Sequence, residues 1–260
     1  LYLFIVLALM SLFTTLWLPY VGEEGVYTIS SYEMWFNHNY LINTMYGNFY
    51  GRPPMMNWLV IPVADFLGWP HVLVATRFVS ASATAITALG LLWFSHRLTK
   101  NLVFALFCAA IYLTGDLLMV RGWLAYADPL LSLFVFFSIA FLWLGTEEKR
   151  NAFYGAAIVF LTAAFLTKAF SPYWIYGLAG LVLLIQHPNR SFLLRPTSIL
   201  FHSLALAGPL VWSVIAGHQY LVAMWQEAVN TAYSPSLVKY IFQVLVVHPG
   251  MLMLRLAPVS

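Results

Sequence analysis

The chain opens with an uncharged run, residues 1–19, LYLFIVLALMSLFTTLWLP, which decides how the rest of the sequence is interpreted. A helix that spans a bilayer needs roughly 20 mostly apolar residues. The run lacks the charged start and the small-residue cleavage pattern of a signal peptide, and further apolar runs follow it. We therefore predict that residues 1–19 form the first transmembrane helix.

The composition of the 260 residues also favours a membrane protein. Hydrophobic residues make up 62% of the chain and charged residues 8%, whereas a soluble globular chain is about a quarter charged. The calculated pI near 9.0 would suit a nucleic-acid partner, but the basic residues are scattered singly or in pairs, so we expect none. The one cysteine, Cys108, lies in an apolar run, which excludes a disulfide framework and favours a core position.

We predict an all-α fold, a polytopic transmembrane helical bundle. The predicted spans are residues 1–19, 78–95, 102–120, 129–145, 152–168, 172–186 and 197–217, with a possible eighth at 238–257. Residues 55–69 form a shorter run with Pro62 and Asp65, which predicts a helix lying at the membrane interface or packed on the bundle rather than a span. The chain begins at Leu1 rather than Met, and we expect residues 1–260 to be one membrane-embedded module, the N-terminal part of a longer protein.

The charge pattern predicts an orientation. Three short loops, SHRLTKN, GTEEKRN and HPNRSFLLRPT, each contain two Lys or Arg, and the positive-inside rule places them in the cytoplasm. We therefore predict a multi-pass protein of the cytoplasmic (inner) membrane. The other side then holds most acids and many cations, which suggests a functional site there, although solvated loop residues are the alternative. They are Glu23, Glu24, Glu33, Asp65, Asp116, Asp128 and Glu227, with Arg52, Arg77, Arg121, Lys168, Lys239 and Arg255.

Residues 20–77 form the first outer loop, which begins with the adjacent acids Glu23 and Glu24. If this segment is helical, a period of 3.6 residues places Glu23, Tyr27, Ser30 and Met34 on one stripe, and Glu24 points about 100° away. One glutamate can then face a cavity while the other holds backbone or a basic partner. Alternatively, both acids only stabilise the positive end of the helix dipole.

Further along the same loop, residues 46–58 read YGNFYGRPPMMNW. Pro53 and Pro54 force an extended approach and then permit a helix to start, so that Tyr50 and Arg52 lie on a fixed turn above the bilayer. The alternative is a turn whose arginine snorkels to the lipid headgroups.

Together, several segments resemble the dolichyl-phosphate-mannose protein mannosyltransferases and the bacterial aminoarabinose transferase that modifies lipid A, which are glycosyltransferases of the GT-C fold. The segments, in the family's order, are EEGVYTISSYEMW (23–35), YGNFYGRPPMMNWL (46–59), TRFVSASATAITALGLL (76–92), RGWLAYADPLLSLF (121–134) and FLTKAFSPYWIYGLAGL (165–181). The sequence departs from the family where Glu23 replaces an aspartate, where Val26 stands at an arginine of the lipid A enzyme, and where Arg52 replaces Lys or His.

The resemblance implies transfer of a sugar from a polyprenyl-phosphate donor to a lipid or protein acceptor at the outer face of the membrane. Glu23 is then the candidate base, and Glu24 positions it or binds sugar or acceptor. Candidate phosphate clamps are Arg52, Arg121 and Lys168, since cations stabilise charge developing on the leaving group. Asp128 is expected to bind the sugar or to orient a clamp. Tyr27, Tyr46, Tyr50 and Trp58 could stack on sugar or carrier, but interfacial aromatic residues are routine.

Plainer roles stay open for two of these residues. Asp128 before Pro129 suits a helix N-cap, and Lys168 could satisfy the carbonyl groups that end a helix. The seven histidines lack metal-ligand spacing and no glycine-rich phosphate loop is present, so we predict no metal and no nucleotide cofactor. The alternative functions are a transporter or flippase for a lipid-linked sugar, although no internal repeat is visible, and a non-catalytic membrane scaffold.

Overall fold

The computed structural model describes residues 1–115, 121–220 and 222–223, and the regular secondary structure of these residues is almost entirely helical. This confirms the predicted all-α class. A 3₁₀ turn at Trp69–His71 leads directly into α4. The helices are α1 Tyr2–Thr14, α2 Gly25–Phe36, α3 Met55–Leu67, α4 Val72–Thr99, α5 Leu102–Thr114, α6 Asp128–Glu148, α7 Asn151–Lys168, α8 Ser171–Gln186, α9 Arg190–Leu193, α10 Pro196–Leu204 and α11 Ala207–Ala216.

Within the described ranges, four helical segments are long and apolar enough to cross a membrane. They are Trp69–Thr99, α6, α7 and the pair α10–α11 as one segment, Pro196–Ala216. The other predicted spans form shorter apolar helices, namely α1, α5 and α8, and the predicted interfacial segment forms α3. The end of the predicted span 102–120 and the possible span 238–257 lie outside the described residues.

Helix α1 is shorter than predicted, since it ends at Thr14 rather than near Pro19. The guanidinium group of Arg77 donates to the carbonyl oxygens of Thr15, Leu18 and Pro19, at 3.1, 2.5 and 2.7 Å. These carbonyl groups therefore turn towards a buried cation instead of continuing the helix. The result is an irregular linker between α1 and α2, held against the first turns of α4.

A small β-hairpin in the first loop was not predicted. Strands β1 Thr44–Met45 and β2 Asn48–Phe49 pair antiparallel, with Thr44 opposite Phe49. Tyr46 and Gly47 form the two-residue turn with φ of 53° and 75°, as a tight hairpin turn requires. The carboxylate of Glu33 on α2 accepts hydrogen bonds from the Thr44 hydroxyl and the Tyr46 and Gly47 N–H groups, at 2.7, 2.6 and 3.3 Å, which fixes the hairpin to α2.

The bundle has two chemically distinct ends, and successive long helices run between them. At one end, Arg97 contacts Glu148 and His187 lies 3.2 Å from Glu147. The opposite end holds the linker before α2, the start of α6 and the end of α7. The three short basic loops therefore share one end, and the acids of the first loop share the other.

Below the second end lies an apolar core that joins α2, α3, α4 and α6. Its buried members include Tyr27, Met56, Val60, Ala75 and Leu130. Asn57 of α3 adds polar links to α2, because its amide donates to the hydroxyls of Ser30 and Ser31 at 2.8 and 3.0 Å. This packing makes α2 a fixed support for the residues above it.

Candidate active site

A cavity of about 360 Å³ opens at the end of the bundle that carries the first loop. Four segments far apart in the sequence form its wall: the turn before α2 together with the first turn of α2, the segment after the hairpin, residues 121–128 and the end of α7. Its lining residues are Gly22, Glu23, Val26, Tyr27, Tyr50, Arg52, Arg121, Tyr126, Ala127, Asp128 and Lys168. All of the predicted site residues except Glu24 are among them.

Glu23 lies in a turn two residues before α2, so the prediction that it shares a helical stripe with Tyr27 is wrong. Gly22 has a φ of 62°, a conformation that favours glycine, and it lets the chain turn just before Glu23. The Glu23 N–H group donates to the hydroxyl of Tyr126 at 3.1 Å. The carboxylate is exposed at the cavity and forms no hydrogen bond or ion pair with the described residues, so it can accept a proton from a bound molecule.

Glu24 points away from the cavity into the protein, where it is fully buried beside Arg77. Its two oxygens accept from Arg77 Nε at 2.7 Å and Nη2 at 2.5 Å, and from the N–H groups of Ala125 and Val21, each at 2.8 Å. The two adjacent glutamates thus face different surroundings, one the cavity and the other a basic partner with backbone groups.

Electrostatics keep Glu24 ionised. Burial raises the pKa of its carboxyl, but the hydrogen bonds from Arg77 and from the Ala125 and Val21 N–H groups outweigh burial and hold the pKa below its ordinary value of 4.5. The Arg77 guanidinium also stacks over the Trp123 ring, 5.2 Å from its centroid. This pair therefore joins three segments behind the cavity: the α1–α2 linker, α4 and residues 121–125.

The hairpin delivers Tyr50 and Arg52 to the cavity wall. The amide of Asn43 donates to the carbonyl oxygens of Arg52 and Pro53, at 3.1 and 3.3 Å, which fixes the turn before the double proline. Arg52 Nη1 donates to the Tyr27 hydroxyl at 3.4 Å, and its guanidinium lies 5.9 Å from the centroid of the Tyr50 ring. The cation therefore faces the cavity instead of snorkelling alone.

Tyr27 lies at the base of the cavity and is only 6% exposed. Burial raises the pKa of its phenol, against the opposing charge of Arg52, so the hydroxyl stays protonated. The two other aromatic candidates lie outside the cavity lining. Tyr46 is exposed at the hairpin tip, and the Trp58 indole donates to the carbonyl oxygen of Tyr40.

Asp128 and Lys168 form an ion pair at the cavity wall, with Lys168 Nζ 2.5 Å from Asp128 Oδ1. The N-cap of α6 is Ala127 and no side chain caps it, so the alternative of Asp128 as the N-cap is wrong. Lys168 ends α7, but its ammonium group contacts Asp128 at the cavity wall. The side chains are 46% and 36% exposed, so a bound anion can reach the lysine.

Arg121 completes the cations of the cavity. Its side chain is exposed, and no hydrogen bond or ion pair joins it to another residue within the described ranges. Its charge is therefore available to a ligand.

The other acidic residues predicted for this end either bind groups outside the cavity or lie outside the described residues. Glu33 holds the hairpin, and Asp65 accepts from the Trp69 indole at 3.3 Å on the exposed face of α3. Asp116 and Glu227 lie outside the described residues, as do Lys239 and Arg255. In the part of the chain that the structure describes, no three His, Cys, Asp or Glu side chains lie close enough to hold a metal ion together.

Sequence reasoning missed the specific parts played by Arg77, Tyr126 and Glu33. Arg77 was recognised as an outer-side cation at the start of a span, but its partner Glu24 is 53 residues away and no local pattern joins them. Tyr126 carried no signal apart from its place two residues before Asp128. Glu33 carried none, because its partners are mainly backbone N–H groups of a hairpin that the sequence did not predict.

The chain is similar to three curated bacterial proteins. It is 27% identical over 162 residues, 61% of the chain and 29% of the relative, to the undecaprenyl phosphate-alpha-4-amino-4-deoxy-L-arabinose arabinosyl transferase 2 of Sodalis glossinidius (strain morsitans). Arabinosyl transferases of the same name, without the number, from Enterobacter sp. (strain 638) and Edwardsiella ictaluri (strain 93-146) are 26% and 27% identical over 140 and 159 residues. These cover 54% and 60% of the chain, and 25% and 28% of the relatives.

The chain thus spans less than a third of the length of these relatives. No protein-family model matches the chain, and no solved structure matches it significantly. The similarities confirm the resemblance to the aminoarabinose transferases that the sequence motifs indicate.

Proposed function

We propose that this chain forms the donor site of a membrane glycosyltransferase, which transfers a sugar from a polyprenyl-phosphate carrier to a lipid or protein acceptor. The observation that carries the proposal is one cavity that gathers the Glu23 carboxylate, which has no partner among the described residues, with the cations Arg52, Arg121 and Lys168. The similar proteins support it, since their names specify an undecaprenyl phosphate-linked sugar.

The reaction needs a base and a stabilised leaving group. The acceptor oxygen forms a bond to the anomeric carbon while its proton passes to the Glu23 carboxylate. The bond between the anomeric carbon and the phosphate oxygen breaks, and its electron pair leaves on the phosphate. The cations of the cavity stabilise this growing negative charge, and the guanidinium groups can bind two phosphate oxygens at once.

Each remaining site residue has a supporting part in this proposal. Glu24 and Arg77 hold the turn that carries Glu23, and Tyr126 holds its N–H group. Asp128 aims Lys168 into the cavity through their ion pair, so an arriving phosphate takes over a lysine that is already positioned. Tyr27 and Tyr50 offer a hydroxyl and a ring to the sugar.

We further propose that the cavity faces the outside of the cytoplasmic membrane. The support is the charge distribution between the two ends of the bundle. The three short basic loops lie together at the far end from the cavity, and such loops normally remain in the cytoplasm.

The test is sugar transfer by the full-length protein in membrane vesicles, with radiolabelled polyprenyl-phosphate sugars as donors. We expect Glu23→Gln to lower turnover by about 10² to 10⁴-fold, the contribution of a positioned general base. Asp65→Asn is the matched control, because it removes an acid at the same end but outside the cavity. It should leave turnover unchanged.

Equal turnover of the Glu23→Gln variant and the wild type would remove Glu23 as the base. If no donor supports transfer and the vesicles instead move lipid-linked sugar across the bilayer, the transferase proposal fails and the transporter alternative replaces it.

A further inference from the structure

A smaller cavity, of about 130 Å³, lies towards the end of the bundle that holds the three short basic loops. Parts of α6, α8 and α10 form its wall together with the end of α9. None of the residues that line the candidate active site lines this cavity, so it is a separate feature of the bundle. Its lining residues include Leu142, Tyr176, Gly177, Gly180, Leu193 and His202.

Two glycines of α8 leave open space at the cavity. A Cβ added at Gly177 or Gly180 would meet no described atom within 4 Å. By contrast, a Cβ added at Gly145 or Gly208 would lie 2.5 Å from a packed side chain, so close packing requires those two glycines. Glycine weakens a helix relative to larger residues, and no described neighbour requires it at positions 177 and 180. The space beside α8 is therefore open to a bound molecule.

The cavity wall also contains a polar group without a protein partner. His202 Nδ1 lies 3.2 Å from the Tyr176 hydroxyl, and the His202 ring packs against Tyr154 with the ring centroids 4.7 Å apart. His202 Nε2 is buried and has no hydrogen-bond partner among the described residues, whereas buried polar groups are normally hydrogen-bonded. In the tautomer whose Nδ1 accepts from Tyr176, Nε2 carries a proton and needs an acceptor. An oxygen atom of a bound molecule would supply it.

The basic loop between α8 and α10 places cations next to this cavity. Leu194 lines the cavity, and Arg195 follows it directly as the N-cap of α10. Arg190 and Arg195 are both exposed and form no ion pair within the described ranges. The Arg195 guanidinium lies over the ring of Phe192, 5.0 Å from its centroid. This mouth of the cavity is therefore positively charged.

The acids of the same end are already used. The carboxylate of Glu148 contacts Arg97, and that of Glu147 lies 3.2 Å from His187. They are not paired with the arginines of the cavity mouth, so the charge of those arginines favours an anion. The ligand should thus carry its negative charge at the mouth and an acceptor oxygen farther inside.

We propose that this cavity binds the phosphate and glycerol region of an anionic glycerophospholipid. The phosphate contacts Arg195, because guanidinium groups form charge-assisted hydrogen bonds with phosphate and basic pockets between transmembrane helices bind acidic headgroups. His202 follows Arg195 by seven residues, which is roughly 10 Å along a helix. Because helical side chains tilt towards the N-terminus, Nε2 lies within reach of an acyl ester oxygen of the same lipid.

The acyl chains then have an apolar surface to follow. Beyond Gly177, away from the basic loop, α8 exposes Trp174 and Ile175. The order of the lipid's groups, phosphate, ester and acyl chain, thus matches the order of arginine, histidine and apolar side chains in the protein. Such a lipid would join α8 to α10, far from the candidate active site, and would stabilise the bundle rather than react.

The first experiment follows the melting temperature of the purified full-length protein, stripped of lipid in an uncharged detergent, during a titration with phosphatidylglycerol. Binding to the native state should raise the melting temperature until the site is saturated. Gly180→Leu fills the cavity and should remove this rise. Without lipid it should melt no lower than the wild type, since its side chain enters open space and leucine favours a helix.

Val182→Leu is the matched control, because Val182 is exposed on the same helix outside the cavity lining, and it should keep the rise. An undiminished rise in Gly180→Leu would overturn the proposal. So would a lower melting temperature of Gly180→Leu in the absence of lipid, because part of the protein itself would then occupy the space.

The second experiment tests the headgroup. Arg195→Gln should weaken phosphatidylglycerol binding about tenfold, since hydrogen bonds to a charged group are lost. Lys149→Gln removes an exposed cation of the same end, on the turn between α6 and α7, and should change nothing. Inorganic phosphate should not raise the melting temperature. Equal affinity for phosphatidylcholine, or an equal rise with inorganic phosphate, would reject an anionic phospholipid as the ligand.

A labelling experiment does not depend on the leucine variant. In a Cys108→Ala background, Gly180→Cys should react with a membrane-permeant maleimide, and phosphatidylglycerol should slow that reaction. Leu178→Cys, at an exposed position of α8 outside the lining, should react equally with and without the lipid. Equal reaction rates of Gly180→Cys with and without phosphatidylglycerol would reject the site. The outcome is independent of sugar transfer, so this proposal and the proposed function can fail separately.

Discussion

The adjacent glutamates Glu23 and Glu24 offer a matched pair of substitutions whose effects should differ completely. Glu24→Gln keeps the size of the side chain but removes a charge that accepts four hydrogen bonds, two of them from the buried Arg77. Removing one partner of a buried ion pair costs about 3–5 kcal/mol, since the other charge is left uncompensated. Glu23→Gln changes a carboxylate that forms no hydrogen bond or ion pair with the described residues.

The measurement is the melting temperature of the purified protein in one detergent. At about 2–4 °C per kcal/mol for a protein of this size, Glu24→Gln should lower the melting temperature by roughly 6–20 °C. Glu23→Gln should leave the melting temperature unchanged while lowering sugar transfer by about 10² to 10⁴-fold. Arg77→Lys should also lower it, because a single ammonium group cannot reach both Glu24 oxygens and the linker carbonyl groups together.

Equal melting temperatures of the Glu24→Gln and Glu23→Gln variants would show that the buried ion pair does not stabilise the protein. An Arg77→Lys variant that melts like the wild type would show that the geometry of the guanidinium group is not needed.

Three further predictions concern the support of the site. Gly22→Ala should lower turnover because Gly22 has a positive φ and an added Cβ would lie 2.7 Å from the Tyr126 hydroxyl. If that contact is the cause, the double variant Gly22→Ala/Tyr126→Phe should regain part of the lost turnover. Tyr126→Phe alone should lower turnover roughly twofold to tenfold, because one neutral hydrogen bond contributes about 0.5–1.5 kcal/mol. Unchanged turnover would show that the Glu23 N–H group needs no acceptor. Burial raises the pKa of the Glu33 carboxyl, but the hydrogen bonds that it accepts from Thr44, Gly47 and Tyr46 outweigh burial and hold the pKa below its ordinary value of 4.5. The ionised carboxylate therefore stabilises the fold above pH 4.5, and this stabilisation is lost as the pH falls through the lowered pKa. The difference in melting temperature between the wild type and Glu33→Gln should therefore shrink below pH 4.5, and a constant difference would contradict this.

The sequence predicted the helices well where hydrophobic length alone determines them. The apolar runs that became α6, α7 and α8 contain few polar residues, so their limits agree with the prediction to within about three residues. The run of residues 1–19 failed at its end, because its last carbonyl groups bind Arg77, which is about sixty residues away. The composition of a segment shows that it is apolar, but it does not show which distant charged residue will bind its carbonyl groups and end the helix.

For the candidate site, the sequence predicted which residues meet but not how they pair. The resemblance motifs selected Glu23, Arg52, Asp128 and Lys168, and all four line one cavity. The ion pair of Asp128 with Lys168 joins two helix termini 40 residues apart, and the sequence alone left each residue with a plainer local role. Long-range pairings of this kind depend on tertiary packing, and the periodicity of a local sequence segment does not predict them.

The network around Arg77 has a consequence for biosynthesis. Helix α4 brings the arginine to the α1–α2 linker, so Glu24 gains its cationic partner once the first 77 residues have been inserted. Ala125, the backbone donor that completes the network, arrives 48 residues later, and Lys168 closes the pocket wall later still. A growing polypeptide would thus neutralise the buried acid Glu24 early and complete the cavity wall only after helix α7 is in place.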